Sequence, residues 1–278
     1  MFRKISTIVM LSLFFIGLSV LLYPAISSYW NSKTQSQVVE SYENMLQNMN
    51  KEDTDAIFEE AERYNKSLFE LQYPLREYGK LQGYHQALNL NASGMMGYIT
   101  IPTIGVELPI YHTVSESVLA FAAGHMEGTS LPIGGESTHS VLSAHRGLPN
   151  AKLFTDLNRV QLGDTFTITI LDRVFLYQVD QILTVTPENT AEVQIVEGQD
   201  YCTLITCTPY GVNTHRLLVR GKQIDTLVEK QVYVGDEAYQ IDTLVVTPIV
   251  ALPILFVLII FVLLQPVKQE HILEGDDV

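Results

Sequence analysis

The stretch Tyr201-Cys202-Thr203-Leu204-Ile205-Thr206-Cys207-Thr208-Pro209-Tyr210-Gly211, with Arg216 beyond it, decides how the chain is read. Thr203 to Cys207 alternate and are rich in β-forming residues, which predicts a strand. Pro209 and Gly211 break the pattern, and Val212 to Val219 resumes a partly apolar run. The segment therefore reads as strand, loop and returning strand. It places Cys207 at the end of one strand and Arg216 near the start of the next. Strand ends and their loops are where a rigid scaffold carries chemistry. A thiol there, with a guanidinium close by, is a candidate nucleophile with an electrophilic helper.

A cysteine nucleophile needs a base or cationic partner, most often histidine. Upstream, His139-Ser140-Val141-Leu142-Ser143-Ala144-His145-Arg146-Gly147 supplies one. Ser140 to Ala144 predict a short buried strand, and His145 sits where it runs out toward Gly147 and Pro149. The chain has 2 cysteines, Cys202 and Cys207, both in the predicted strand. An extended chain rises about 3.3 Å per residue, so their Cα atoms lie ~16 Å apart, whereas a disulfide needs less than about 7 Å. Their odd spacing puts them on opposite faces. Cys202 then reads as a buried apolar residue and Cys207 as a free, reactive thiol.

Thr203-Leu204-Ile205-Thr206-Cys207 resembles the TLxTC signature of the sortases, the transpeptidases of Gram-positive bacteria. Arg216, in Asn213-Thr214-His215-Arg216-Leu217-Leu218-Val219, matches their catalytic arginine, and Ser143-Ala144-His145-Arg146-Gly147 matches the segment of their histidine. Several flanking runs are similar to class C, the pilus-assembling sortases. They are Gly97-Tyr98-Ile99-Thr100-Ile101-Pro102, Leu108-Pro109-Ile110-Tyr111-His112, Gly124-His125-Met126-Glu127-Gly128-Thr129-Ser130-Leu131-Pro132 and Ala151-Lys152-Leu153-Phe154. The resemblance runs from about Gly94 to Gly221.

The resemblance implies an all-β core, an eight-stranded sortase-type barrel; hydrophobic periodicity alone leaves barrel and sandwich both open. It implies His145, Cys207 and Arg216 as catalytic residues; Thr206, Thr208 and Asn213, which lie near them in the sequence, are expected to bind substrate. Cys207 would cleave an LPxTG-like sorting signal through a thioacyl intermediate, and a pilin lysine would resolve it as an isopeptide bond. The partners would be pilin subunits with C-terminal sorting signals. The alternative within the family is anchoring of surface proteins to a lipid-linked peptidoglycan precursor. An inactive membrane-tethered binding protein is the alternative outside it. An L,D-transpeptidase is excluded, because its Ser-His-Gly-Cys-x-Arg spacing is absent. No cofactor is called for, and no metal: two thiols on opposite faces and scattered histidines give no ligand spacing. His125, His139 and His215 read as structural, and Arg146 as a surface or lid contact.

Two apolar runs flank this region. The first, Ile5 to about Ile26, follows Arg3-Lys4; the second is Leu244 to Leu264. Each is about 20 residues, long enough to span hydrocarbon. The first is longer than a signal-peptide core and lacks a small-x-small cleavage site, so it reads as an uncleaved anchor. Arg3 and Lys4 put the N-terminus in the cytoplasm, and two spans bring both termini there. This makes a multi-pass cell-membrane protein, contacting the bilayer through two helices, with its catalytic domain extracytoplasmic. The formal net charge of −14 argues against a nucleic-acid partner.

The expected organisation is an anchor at 1–30, a helical stalk and candidate lid at 31–92, the barrel at 93–225, a linker at 226–243, a second span at 244–265 and a cytoplasmic tail at 266–278. Within 34–70, Val38, Tyr42, Met45, Leu46 and Met49 form one helical stripe, and Ile57, Ala61, Tyr64 and Leu68 a second. Class C lids commonly carry an Asp-Pro-aromatic anchor. This sequence has no Asp-Pro, and Tyr73-Pro74 is the candidate substitute. Strands are expected at Tyr98–Ile101, Glu107–Tyr111, Ser140–Ala144, Thr165–Ile170, Val174–Val185, Asp200–Cys207 and His215–Arg220. A short helix is expected over Ser115–Ala122, capped by Ser115.

Overall fold

Eight short strands close on themselves. The computed structural model describes residues 2–148 and 151–224. The expected linker, second span and tail lie outside the described residues. The strands are β1 (Met95–Ile101), β2 (Val106–His112), β3 (Ala123–His125), β4 (Thr138–Ser143), β5 (Thr165–Ile170), β6 (Arg173–Val185), β7 (Asp200–Thr208) and β8 (His215–Gln223). Their order around the closed barrel is β1-β2-β3-β4-β7-β8-β6-β5, and β1 pairs with β5 to complete it. The expected eight-stranded barrel is observed, and the sandwich is ruled out. Most pairs are antiparallel; β2·β3 and β4·β7 are parallel. Parallel neighbours need a long crossover. The one from β4 to β7 carries β5 and β6 on the way.

Alternation along each strand fills the barrel. The inner residues of β7, Cys202, Leu204 and Thr206, are buried, and β5 alternates with Phe166, Ile168 and Ile170 inside. Phe166 stacks on Tyr177 of β6 at 5.4 Å between centroids. Seven of the eight strands follow the sequence expectation to within three residues at each end. β3 was not foreseen: Ala123-Gly124-His125 offers no β-branched residue and is too short to alternate.

Among the described residues four α-helices accompany the barrel: α1 (Phe2–Leu46), α2 (Lys51–Phe69), α3 (Pro74–Glu77) and α4 (Glu116–Leu119). Among the described residues, contacts place those before Ile26 in one unit and those from Ile26 onward in the unit that holds the barrel. Among the described residues α1 is the one helix long and apolar enough to cross a membrane, and its Leu13, Phe15, Ile16, Val20 and Leu21 are exposed. From Ile26, α1 and then α2 pack on the barrel, each by a narrow stripe.

On α1 the anchor is Tyr42, whose buried hydroxyl donates to Met96 O and accepts from Leu171 N, both at 2.9 Å. Gln35 adds a bond to Phe121 O. On α2 the buried face is Thr54, Phe58, Ala61, Tyr64, Asn65 and Leu68, at helical spacing. Asn65 uses both ends of its amide on Leu131, donating to its O and accepting from its N. Asn50 caps α2 by accepting from Asp53 N at 2.8 Å. Arg173 lies 3.9 Å over the Phe58 ring and bonds Asp55 at 2.7 Å.

Candidate active site

Three strand ends meet at one mouth of the barrel. Cys207 and Arg216 are direct cross-strand partners in the antiparallel β7·β8 pair. Directly opposed residues project to the same face with Cβ atoms about 4.5–5.5 Å apart. On the other side of β7, the parallel register with β4 runs Val141↔Thr203, Leu142↔Leu204 and Ser143↔Ile205. Extending it by two residues sets His145 level with Cys207. The strands stay tied beyond their last ladder pair, since Ala144 N donates to Ile205 O and Thr206 Oγ1 donates to Ala144 O. The thiol is thus flanked by an imidazole-bearing and a guanidinium-bearing strand.

Both cysteines are free thiols. Cys202 is buried, and burial pushes its thiol well above the ordinary range. Cys207 is half-buried. His145 is half-buried, and its Nε2 lies 3.3 Å from Oε1 of Glu116, the first residue of α4. The Arg216 guanidinium folds onto its own hairpin, donating to Asn213 O at 3.2 Å and His215 O at 3.1 Å. Asn213, at φ 59, forms the turn with Val212, and both N–H groups reach Pro209 O.

The three residues expected to bind substrate separate. Thr208 and Asn213 lie at the mouth, on the loop side of Cys207. Thr206 does not: it is buried on the inner face, and its hydroxyl is committed to Ala144 O. Its geometry braces β4 against β7. Arg146 also departs from expectation, reaching inward to Thr208 Oγ1 at 3.3 Å and Asn158 Oδ1 at 3.0 Å. His215 pairs with Thr208 in the β7·β8 ladder, and its Nδ1 lies 2.9 Å from Thr214 Oγ1.

The other histidines sit in closed bonding. His125 has Tyr84 Oη at 2.9 Å from Nδ1 and Ser130 O at 2.8 Å from Nε2. His139 has Gln194 O at 2.8 Å from Nδ1 and Thr203 Oγ1 at 2.7 Å from Nε2. In each, a hydroxyl can donate to one nitrogen while the other donates to a carbonyl, which suits neutral imidazole. Burial pushes both down to about 4.

The outer face of β7 next to Cys207 is apolar and covered. Val141, Val193 and Leu218 form a small cluster with Ile205, Met126, Leu183, Val185 and Leu75 packed on it. Leu75 belongs to α3, in the segment expected to hold a lid. Tyr73, expected as the anchor, is 56% exposed, and Leu75 is the residue turned inward. Pro74 starts the helical turn and Tyr73 precedes it, so the turn itself carries Leu75 to the sheet. Gly128 lets α3 come this close. It has φ +83, and a Cβ there would lie 2.8 Å from Tyr78, 2.9 Å from the Leu75 Cα and 3.2 Å from Pro74 O.

A model of the sortase domain matches residues 99–224. A crystal structure of sortase C1 from Streptococcus agalactiae superposes with a TM-score of 0.63 at 47% identity, covering 68% of this chain and 98% of that one. The chain belongs to the sortase family, in class C. A crystal structure of Streptococcus pneumoniae sortase C superposes at 0.62 with 42% identity, over 68% of this chain and 97% of that one. Among curated relatives, a Streptococcus agalactiae sortase A is 29% identical over 131 residues, 46% of this chain and 52% of that protein. The chain thus spans about half the length of that relative. As a sortase, the protein combines the family's barrel with a cysteine, a histidine and an arginine at or just beyond the ends of three adjacent strands.

Proposed function

We propose that this sortase is a cysteine transpeptidase that joins pilin subunits, with Cys207 as nucleophile, His145 as acid and base, and Arg216 as electrophilic helper. The observation that carries the proposal is the pairing of Cys207 with Arg216 across β7·β8, with the end of β4 beside them on the other flank. A solved structure of Clostridium perfringens sortase C with the C-terminal cell wall sorting motif, 42% identical and with a TM-score of 0.60, supports a sorting-signal substrate.

The Cys207 thiol passes its proton to His145, and the thiolate Sγ attacks the threonine carbonyl of an LPxTG-like signal. The carbonyl π electrons move to oxygen, and Arg216, which keeps its charge and presents a planar fork of donors, faces that oxyanion. Collapse re-forms the carbonyl and breaks the C–N bond to glycine, whose nitrogen takes a proton from His145. A thioacyl enzyme remains. The neutral imidazole then takes a proton from an incoming lysine amine, which attacks the thioester. The second collapse releases Cys207 and leaves an isopeptide bond. Charged lysine is a poor nucleophile, so the chemistry requires a base at this place. Thr208 and Asn213, at the mouth, are placed to contact the substrate backbone.

The apolar cluster under Leu75 is a floor of the right chemistry for the leucine and proline of such a signal. In this reading Leu75 occupies the floor until the signal replaces it. The protein works at the cell membrane, anchored by α1 and a second span at 244–265, with the barrel outside and both termini cytoplasmic. The test is mass spectrometry of the full chain mixed with a sorting-signal peptide and a purified pilin. A thioacyl adduct on Cys207 that transfers to a pilin lysine is the expected result. Transfer only to a glycine-type amine would assign the anchoring reaction to peptidoglycan precursor, and no adduct, with α3 deleted as well, would reject the enzyme.

A further inference from the structure

We infer that Arg146 is a positioning residue that fixes His145 against Cys207. The inference rests on the reading of those two as the reacting pair. The ladder between β4 and β7 ends at Ser143↔Ile205, two residues short of both. Beyond it, the Arg146 side chain is the outermost tie between the two strand ends. Arg146 directly follows His145, and Thr208, which accepts from its Nη1, directly follows Cys207. Its Nη2 donates to Asn158, in the short helical turn Leu157–Arg159.

The same turn region holds the backbone on either side of Arg146. Phe154 N donates to His145 O at 3.1 Å, and Gly147 N donates to Thr155 Oγ1 at 3.0 Å. The histidine is therefore placed by a frame of three segments, and the planar guanidinium fork fixes the angle between two of them. The Nε of Arg146 is buried and has no partner among the described residues. A buried, unpaired donor on a charged group is unfavourable. Stability alone would favour a smaller or apolar side chain here, so what the arginine adds is placement. Its two terminal nitrogens already have protein acceptors, so it acts through the segments it ties and not by touching the reacting atoms.

The test uses the full chain in detergent micelles and has two readouts. In the first, thioacyl formation from a sorting-signal peptide is followed at varied peptide concentration. Arg146→Ala should lower the maximal rate by about 10²-fold, the scale of a 1 Å misplacement. The half-saturating peptide concentration should stay within about twofold, since no substrate contact is lost. Arg146→Lys, which restores one donor, should recover part of the rate. Asn158→Ala should add little on the Arg146→Ala background, because the tie is already gone. An unchanged maximal rate, or a loss confined to the half-saturating concentration, would overturn the inference.

The second readout needs no peptide, so it separates this inference from the proposed reaction. Alkylation of Cys207 by iodoacetamide is followed across pH, with His145→Gln as the reference for a missing imidazole. Arg146→Ala should move the wild-type profile toward that of His145→Gln, and a profile superimposable on the wild type would overturn the inference even if the peptide reaction proceeds. If Arg146→Ala does not fold, Thr208→Val and Asn158→Ala each remove one tie and should shift the profile the same way to a smaller extent.

Discussion

The two cysteines of β7 sit in one strand and have opposite surroundings. At Cys202 the side chain points into the barrel, the neighbours are apolar, and burial keeps the thiol protonated. On the outer face of that end, Thr203 is buried with its hydroxyl on His139. At Cys207 the side chain points out, a charged arginine lies directly across, and the pairing with β4 has just run out. The same residue type is core at one end and, in the proposed reaction, the nucleophile at the other. What separates them is an odd number of residues, which flips the face, and the point at which the ladder stops.

The largest break in this comparison comes from serine at each position. Cys207→Ser should abolish thioacyl formation by mass spectrometry, with the melting temperature nearly unchanged. Cys202→Ser should retain adduct formation but lose about 1–3 kcal/mol of stability, because a hydroxyl is buried among apolar groups. Activity loss at Cys202 without destabilisation would contradict the contrast.

A second effect comes from protons at the sealed end. His125 and His139 are held at about 4 by burial, against 6.5 in the unfolded chain. The folded protein then binds fewer protons than the unfolded chain, so this stability is complete above pH 6.5 and lost as pH falls toward 4. Asp200, pushed up by burial to about 6 from 3.8, acts in the opposite sense over an overlapping range. Denaturant melts should show stability falling from pH 7 to 4.5. Asp200→Asn, which removes the opposing group, should steepen the fall, and His139→Gln should flatten it.

A smaller effect sharpens the contrast at the open end. Leu75→Ala thins the cover on the Ile205 cluster, so alkylation of Cys207 should speed up several-fold while Cys202 stays unmodified. Equal rates before and after would show that Leu75 does not shield the mouth. The smallest concerns Gly147, at φ +77, where a Cβ would meet the Tyr210 ring at 2.6 Å. Tyr210 is exposed and can swing away. Gly147→Ala should therefore cost about 1 kcal/mol, largely from its backbone angle, and the melting temperature should report it.

How much of this was legible in the sequence follows from how local each signal is. The strand–loop–strand unit at 200–223 was readable, because alternation and the Pro209–Gly211 break are local, and with it the facing of Cys207 and Arg216. The stripes on α1 and α2 were readable for the same reason, although Val39 and Phe58, which the expected stripes left out, are buried as well, and Ile57 packs only partly buried against the core. Glu116 beside His145, 29 residues away, left no local mark. Nor did Leu75, since an unremarkable leucine in a segment without period becomes a cover only once α3 meets Gly128. Thr206 was expected at the substrate; alternation along β7 turns it to the inner face, where it is buried with its hydroxyl on Ala144 O.

Closure of the barrel has one more consequence. Every strand has a partner on both sides, β1 and β5 included, so the sheet has no outer edge. An open edge is a template on which another extended chain can grow. A protein proposed to weld one subunit after another works beside many copies of extended polypeptide. Without an edge it cannot be recruited into the fibre as one more strand. A captured segment must lie on the face of the sheet and among the loops, held by side chains, and it leaves without unzipping a ladder.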